Sequence, residues 1–144
     1  MDIVSGLPLD HIGYAVADIE KYLEEFFIPV FRPQTIGLIV EDPIQRVRVA
    51  FVTLKGGARI ELIQPVDESS PVSKILKNRR GGLYHLCYLV EQLEQEIERF
   101  RGKRCLLISG PTPAAAFGRR RIAFLYTPQF DIIELVEAGA DKEK

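Results

Sequence analysis

The chain has 144 residues, with 19 Lys and Arg against 20 Asp and Glu, a formal net charge of −1. That balance leaves no overall positive field to hold a nucleic acid or an anionic membrane. No stretch approaches the roughly 18 unbroken apolar residues of a membrane span, and no basic segment runs into a long apolar one at the start. The expectation is a soluble, cytoplasmic protein of one domain, 1–144, whose two cysteines, Cys87 and Cys105, lack metal-type spacing and stay reduced.

In chain order, "DHIGYAVAD" (10–18) places His11 at the head of a short buried strand and then turns to helical periodicity. Ile19, Leu23, Phe26 and Phe27 form the predicted apolar stripe, with Asp18 as N-cap. Strand-like runs follow at "GLIV" (37–40), "VRVAFVTL" (47–54) and "RIELIQ" (59–64). The linker "PVDESSPVSKILKNRRGG" predicts a short helix that Ser70 and Pro71 begin and Gly81 and Gly82 follow. The order then repeats. "YHLCYLVEQ" (84–92) places His85 on a strand, Leu93, Ile97 and Phe100 mark a helix, and "CLLIS" (105–109), "RIAFLYT" (121–127) and "DIIELVE" (131–137) read as strands. The tail "GADKEK" reads as a frayed end.

The second set is a copy of the first. A shift of 74 brings residues 11–26 onto 85–100, matching His11 with His85, Tyr14 with Tyr88 and Glu20 with Glu94; a shift of 73 brings 48–63 onto 121–136, matching Arg48 with Arg121, Phe51 with Phe124 and Glu61 with Glu134. Two tandem βαβββ modules, 9–66 and 83–138 joined by a helical linker 67–82, predict an α+β fold with a curved mixed sheet around a central cleft. Strand alternation puts His11 on a face with Gly13 and Ala15, and His85 with Cys87, away from Ile12, Tyr14, Leu86 and Tyr88.

An approximate two-fold axis between the copies brings together His11, Glu61, His85 and Glu134, a nitrogen and oxygen set suited to a divalent Co, Ni, Mn, Zn or Fe ion with open positions left over. Without an ion the two buried glutamates are expected to repel and take up protons. A lone strand histidine is ordinarily structural, and matching residues can persist by descent alone. Descent does not account for two carboxylates kept inside apolar strands.

At "LDHIGYAV", "VRVAFVTL", "IELIQP", "SSPVSKIL", "GGLYHLCYLV", "GRRRIAFLYTP" and "IIELVE" the sequence resembles the vicinal oxygen chelate superfamily, and within it the methylmalonyl-CoA epimerases, over Leu9 to Glu137. The resemblance implies a homodimer with His11, Glu61, His85 and Glu134 as metal ligands. It implies an acyl-CoA thioester or other carbonyl compound as substrate, proton removal and return beside that carbonyl, and Lewis-acid help from the ion. Glu134 is the expected acid/base residue, with Glu61 a ligand and possible second base. Gln45 and Arg119 are candidate substrate contacts, and Lys74, Lys77, Arg79, Arg80, Arg120 and Arg121 are further cations near expected loops.

The chain departs from the epimerase pattern in several loops. Tyr84-His85 stands for His-His, Phe117-Gly118-Arg119 for His-Gly-Lys, and Tyr126-Thr127-Pro128 for His-Pro, while no acid stands at Arg48 or Val49 where some epimerases carry one. A glyoxalase I-like lyase therefore stays open as an alternative, as does a non-catalytic binder of small molecules such as antibiotics. A dioxygenase fits less well, because a fourth protein ligand fills a position needed for oxygen and substrate.

Overall fold

The computed structural model describes residues 6–79 and 81–139. Arg80 and the tail from residue 140, both read above, lie outside the described residues, as does the Arg79 side chain. Strand β1 (Leu9–Ala15) leads into α1 (Ile19–Tyr22), where the Asp18 carboxylate accepts from the Lys21 backbone N–H at 3.0 Å and makes the expected cap. The helix widens into a π-turn, Leu23–Phe27, before α2 (Ile28–Phe31). That turn corrects the expected stripe. Ile19, Leu23 and Phe27 are buried while Phe26 is 46% exposed, because i→i+5 bonding moves the inward position one residue later than α spacing does.

The strand expected at 37–40 also divides. β2 (Thr35–Ile36) and β3 (Val40–Asp42) both pair antiparallel with β4 (Val47–Thr53), and between them Gly37 donates its N–H to the Phe51 carbonyl. After β5 (Arg59–Pro65), Ser70 Oγ accepts from the Val72 N–H and opens α3 (Val72–Arg79). The second half comprises β6 (Gly82–Val90), α4 (Leu93–Arg101), β7 (Leu106–Pro113), a 3₁₀ turn (Ala115–Phe117), β8 (Arg121–Tyr126) and β9 (Ile132–Glu137). β7 runs beyond the expected 105–109 through Pro111 and Pro113, which its edge position tolerates because an outward N–H has no ladder partner to lose.

The strands form one sheet in the order β2-β4-β5-β1-β6-β9-β8-β7, with β3 also on β4. It is curved and open, the mixed α+β architecture the repeat predicts. β1 is parallel to β5 and β6 to β9, and the halves meet antiparallel at β1 and β6. The register carries the duplication residue by residue. Ile12 pairs with Leu86, its equivalent 74 residues later, so the pseudo-two-fold axis passes between them; His11 faces Cys87 on one side and Gly13 faces His85 on the other. Gly13 and Cys87 then pair with Glu61 and Glu134 on the neighbouring strands.

Each helix covers the outer face of its own half. Ile19, Leu23 and Phe27 pack on Ala50, Val52 and Leu62, and Leu93 and Ile97 pack on Ala123, Leu125 and Leu135. Burying side chains of this size contributes roughly 1.5–3 kcal/mol each, which fixes which face of the sheet points outward. The histidines and glutamates are thereby committed to the inner face. There the two ends of the sheet are tied across the fold: Asp42 accepts from the Ala115 N–H at 3.0 Å, and Gln45 Nε2 donates to Thr112 Oγ1 at 3.1 Å.

Candidate metal centre

The inner face encloses a cleft of about 440 Å³, walled mainly by aliphatic and aromatic side chains, with Glu61, His85 and Glu134 in its lining. His11 lies behind them, 1% exposed. Its Nε2 is 3.0 Å from Glu61 Oε1 and 3.2 Å from Glu134 Oε1, while His85 Nε2 is 3.4 Å and 2.8 Å from the same two oxygens. The two Nε2 atoms are 3.2 Å apart. The four-donor cluster expected from the repeat is thus assembled, from two central strands and the strand beside each.

Gly13 makes room for it. A Cβ built there would lie 2.5–2.7 Å from three atoms of the His85 ring, so the ring occupies the space that any side chain would need. The equivalent Cys87 sits under His11 instead, fully buried and reduced, its thiol pushed up by burial and kept from thiolate chemistry. Aromatic rings hold the imidazoles from outside. Phe51 and Phe117 pack on His11 with centroids at 5.0 and 5.6 Å, and Phe124 on His85 at 5.5 Å.

Burial by itself drives both imidazoles toward neutrality and both carboxyls toward protonation, but the opposite charges beside them prevail. His85 is held up at about 9 by Glu134 and Glu61, and His11 well above the usual imidazole range by Asp10, Cys87 and the two glutamates. Glu134 is drawn down to about 2 and Glu61 below its ordinary value by the two rings. The expectation that the glutamates take up protons in the absence of an ion is therefore corrected: the histidines take them, since each carboxylate faces two basic nitrogens as well as its twin.

The donor set fits a divalent cation better than it satisfies itself. Glu134 Oε1 lies within contact distance of both rings yet has no hydrogen bond that satisfies it, and the His85 Nδ1 is likewise buried without a partner among the described residues. Two imidazole nitrogens and two carboxylates gathered within a few ångströms in a buried site are the set that a cation with nitrogen and oxygen ligands requires. His11, Glu61, His85 and Glu134 lie within 4.8 Å of one another through one donor atom each and could hold such an ion.

The other candidates are more dispersed. Gln45 lines the cleft with its amide on Thr112. Arg119 is exposed, in left-handed backbone at φ 71° after the 3₁₀ turn, and does not line the cleft. Arg121 binds Glu94 and Glu137, Arg120 donates to the Phe117 and Glu137 carbonyls, and Lys77 pairs with Glu68, whereas Lys74 lines the cleft. Val49 faces the cleft, while Arg48 points to Glu20 and Gln64 outside it. Sequence reasoning gave no role to Asp10, which lies 2.8 Å from His11 Nδ1, or to Arg59, which binds that carboxylate. A carboxylate directly preceding a candidate ligand was the available signal for Asp10. Nothing local marks Phe117, which reaches His11 from the other half.

Residues 10–124 match the glyoxalase/bleomycin resistance protein/dioxygenase superfamily. The ethylmalonyl-CoA/methylmalonyl-CoA epimerase of Cereibacter sphaeroides is 30% identical over 130 residues, 88% of this chain and 95% of that protein. The mouse mitochondrial methylmalonyl-CoA epimerase, of whose length the chain spans 61%, is 31% identical over 77% of this chain. Among solved structures, the methylmalonyl-CoA epimerase of Mycobacterium tuberculosis is 29% identical and superposes with a TM-score of 0.77, covering 98% of this chain and 95% of that one. A methylmalonyl-CoA epimerase in complex with methylmalonyl-CoA and NH4+ is 25% identical at a TM-score of 0.78, covering 94% and 97%. With its duplicated register, its inward His/Glu cluster and these relatives, the chain belongs to the glyoxalase/bleomycin resistance/dioxygenase superfamily and, within it, to the methylmalonyl-CoA epimerase family.

Proposed function

We propose that the chain is one domain of two modules, 9–66 and 83–138, that epimerises a 2-carboxyacyl-CoA thioester of the methylmalonyl-CoA type with the help of one divalent ion. The observation that carries this reading is the convergence of four buried donors, Glu134 Oε1 among them unsatisfied, on the floor of an apolar cleft. His11, Glu61, His85 and Glu134 hold the ion, with Co, Ni, Mn, Zn and Fe all compatible with the donors. When bound, the ion supplies Lewis-acid stabilisation of the negative charge that grows on the acyl oxygen as the proton leaves.

The protein's own work is proton transfer and exclusion of water. Glu134, as the carboxylate, takes the proton from the carbon beside the thioester carbonyl, and Glu61, entering the step in its acid form, delivers its own proton to the opposite side; the two carboxyls thereby exchange protonation states, and exchange with solvent after product leaves restores both. Both carboxylates line the cleft, as that assignment requires. The surrounding Ile63, Ile122, Phe124 and Ile132 keep water away, which strengthens each charge interaction within. Gln45 contacts the acyl portion and Arg119 the outer part of the CoA moiety. We place the protein in the cytoplasm as a homodimer; no described helix is long and apolar enough to cross a membrane.

The test is the metal content of freshly purified protein, followed by solvent deuterium exchange into methylmalonyl-CoA. Metal together with exchange supports the proposal. Metal without exchange moves the reading to a glyoxalase-type reaction, which the altered loops at Phe117–Arg119 and Tyr126–Pro128 keep open. Neither metal nor exchange leaves a small-molecule binder.

A further inference from the structure

The two imidazoles are held unequally. His11 Nδ1 lies 2.8 Å from Asp10 Oδ2, and the same oxygen accepts from an Arg59 guanidinium nitrogen at 3.1 Å. The Arg59 guanidinium lies over the Phe51 ring, 4.4 Å from its centroid, and Phe51 meets the His11 ring nearly perpendicular to it, centroids 5.0 Å apart. Asp10, Arg59 and Phe51 therefore close a circuit around one side of His11. In the second half only the aromatic part recurs, Phe124 against His85. The positions equivalent to Asp10 and Arg59 are Tyr84 and Ile132, and His85 Nδ1 has no hydrogen-bond partner among the described residues.

On the reading that the four residues hold a divalent ion, we propose that Asp10, kept in place by Arg59, is a positioning residue for that ion. Its carboxylate accepts the Nδ1 proton of His11, which leaves the lone pair on Nε2 facing Glu61 and Glu134 and fixes the plane of the ring. Asp10 is partly buried and paired with both His11 and Arg59, and the charge of Arg120 also acts on it, so its carboxylate has little freedom to turn away. The duplicated site thus has one imidazole anchored at its Nδ1 by a carboxylate and one whose Nδ1 has no hydrogen-bond partner among the described residues.

The experiment is a Co2+ titration against a competing chelator on the wild-type chain and on Asp10→Asn, Asp10→Ala and Arg59→Gln. The dissociation constant is expected to rise roughly 10–100-fold in Asp10→Ala, the usual cost of losing a partner behind a metal-ligating histidine. A smaller rise is expected in Asp10→Asn, whose amide oxygen still accepts from the ring, and in Arg59→Gln. The chain has only two histidines, so the ring protons of the Zn2+-loaded protein can be assigned. The His11 Nδ1 proton is expected far downfield in the wild type and moved upfield in Asp10→Asn, a signature that a merely structural role would not produce. Melting of the chelator-treated variants reports folding, and the isosteric Asp10→Asn decides the matter if Asp10→Ala does not fold. Equal Co2+ affinity within twofold across folded variants, with an unmoved ring proton, overturns the inference and leaves the metal reading intact. No Co2+ uptake by the wild type overturns both.

Discussion

The first and second halves of the molecule share register, helix packing and the His/Glu pair, and differ in what stands behind each histidine. Where they agree, the shared residues divide into two kinds. Arg48 with Glu20 and Gln64, and Arg121 with Glu94 and Glu137, are the same outer-face clamp made twice, tying the start of a helix to its sheet. His11 with Glu61, and His85 with Glu134, are the same inner-face pair made twice. Where they differ, Gly13 answers to Cys87 and Asp10 to Tyr84. An asymmetric substrate needs unlike surroundings, and a duplicated fold acquires them by changing the neighbours of the donors rather than the donors.

Several substitutions break or sharpen that comparison. The largest effect is expected from Glu134→Gln, which should lower the rate of deuterium exchange into methylmalonyl-CoA by about 10²–10⁴-fold, the usual share of general acid/base catalysis. Glu61→Gln run alongside tests whether both halves supply an acid/base group: a comparable loss is expected, and wild-type exchange in that variant would leave Glu134 alone in the role. Gly13→Ala comes next. The added methyl must displace the His85 ring, and metal retention on desalting should be lost, whereas Cys87→Ala removes one sulfur from packing and should cost only about 1 kcal/mol of stability by thermal or urea melting.

The protons on the site sharpen the comparison further. With His85 held up at about 9 and His11 also raised, the chelator-treated site carries protons on its imidazoles at neutral pH, so uptake of an ion should release protons. Calorimetry in buffers of different ionisation enthalpy measures the number, and affinity should strengthen as pH rises. Stability of the chelator-treated protein follows the same groups. A raised His85 pKa stabilises the fold fully below about 6.5, and that contribution, roughly 3 kcal/mol, is lost as pH rises through about 9. The lowered Glu134 pKa acts at the other end, contributing above about 4.5 and lost as pH falls toward 2. Melting temperature against pH, with and without Zn2+, tests both signs, and the alkaline fall should vanish when the ion is bound. The smallest effect is expected from Arg48→Gln and Arg121→Gln, exposed clamps that should each lower the melting temperature slightly and leave deuterium exchange unchanged.

Much of this was legible before any coordinates because the repeat compares the chain with itself. Matching His11 to His85 and Glu61 to Glu134 picks out residues that local patterning alone would leave as ordinary strand positions, and alternation then assigns them a face. Local patterning failed where local geometry was irregular. The π-turn exposed Phe26, and the run at 37–40 split around Gly37, because neither a widened turn nor a break in pairing alters hydrophobic spacing enough to be read from it. Arg121 stands among the candidate cations near the expected loops because nothing in "GRRR" reveals that Glu94 and Glu137 pair with it.

By itself the sequence determined the repeat, the strand faces and which four polar residues, His11, Glu61, His85 and Glu134, share the inner one, since these depend on residue type and spacing within single elements. Only the tertiary structure decided that the donors meet at one point, that Gly13 yields its space to the His85 ring, and that Asp10 and Arg59 brace one imidazole and not the other. The reason is physical: alternation along a strand fixes which side a residue faces, but distances of 2.8 to 3.4 Å between residues from different strands are set by sheet register and curvature, which the whole packed fold determines.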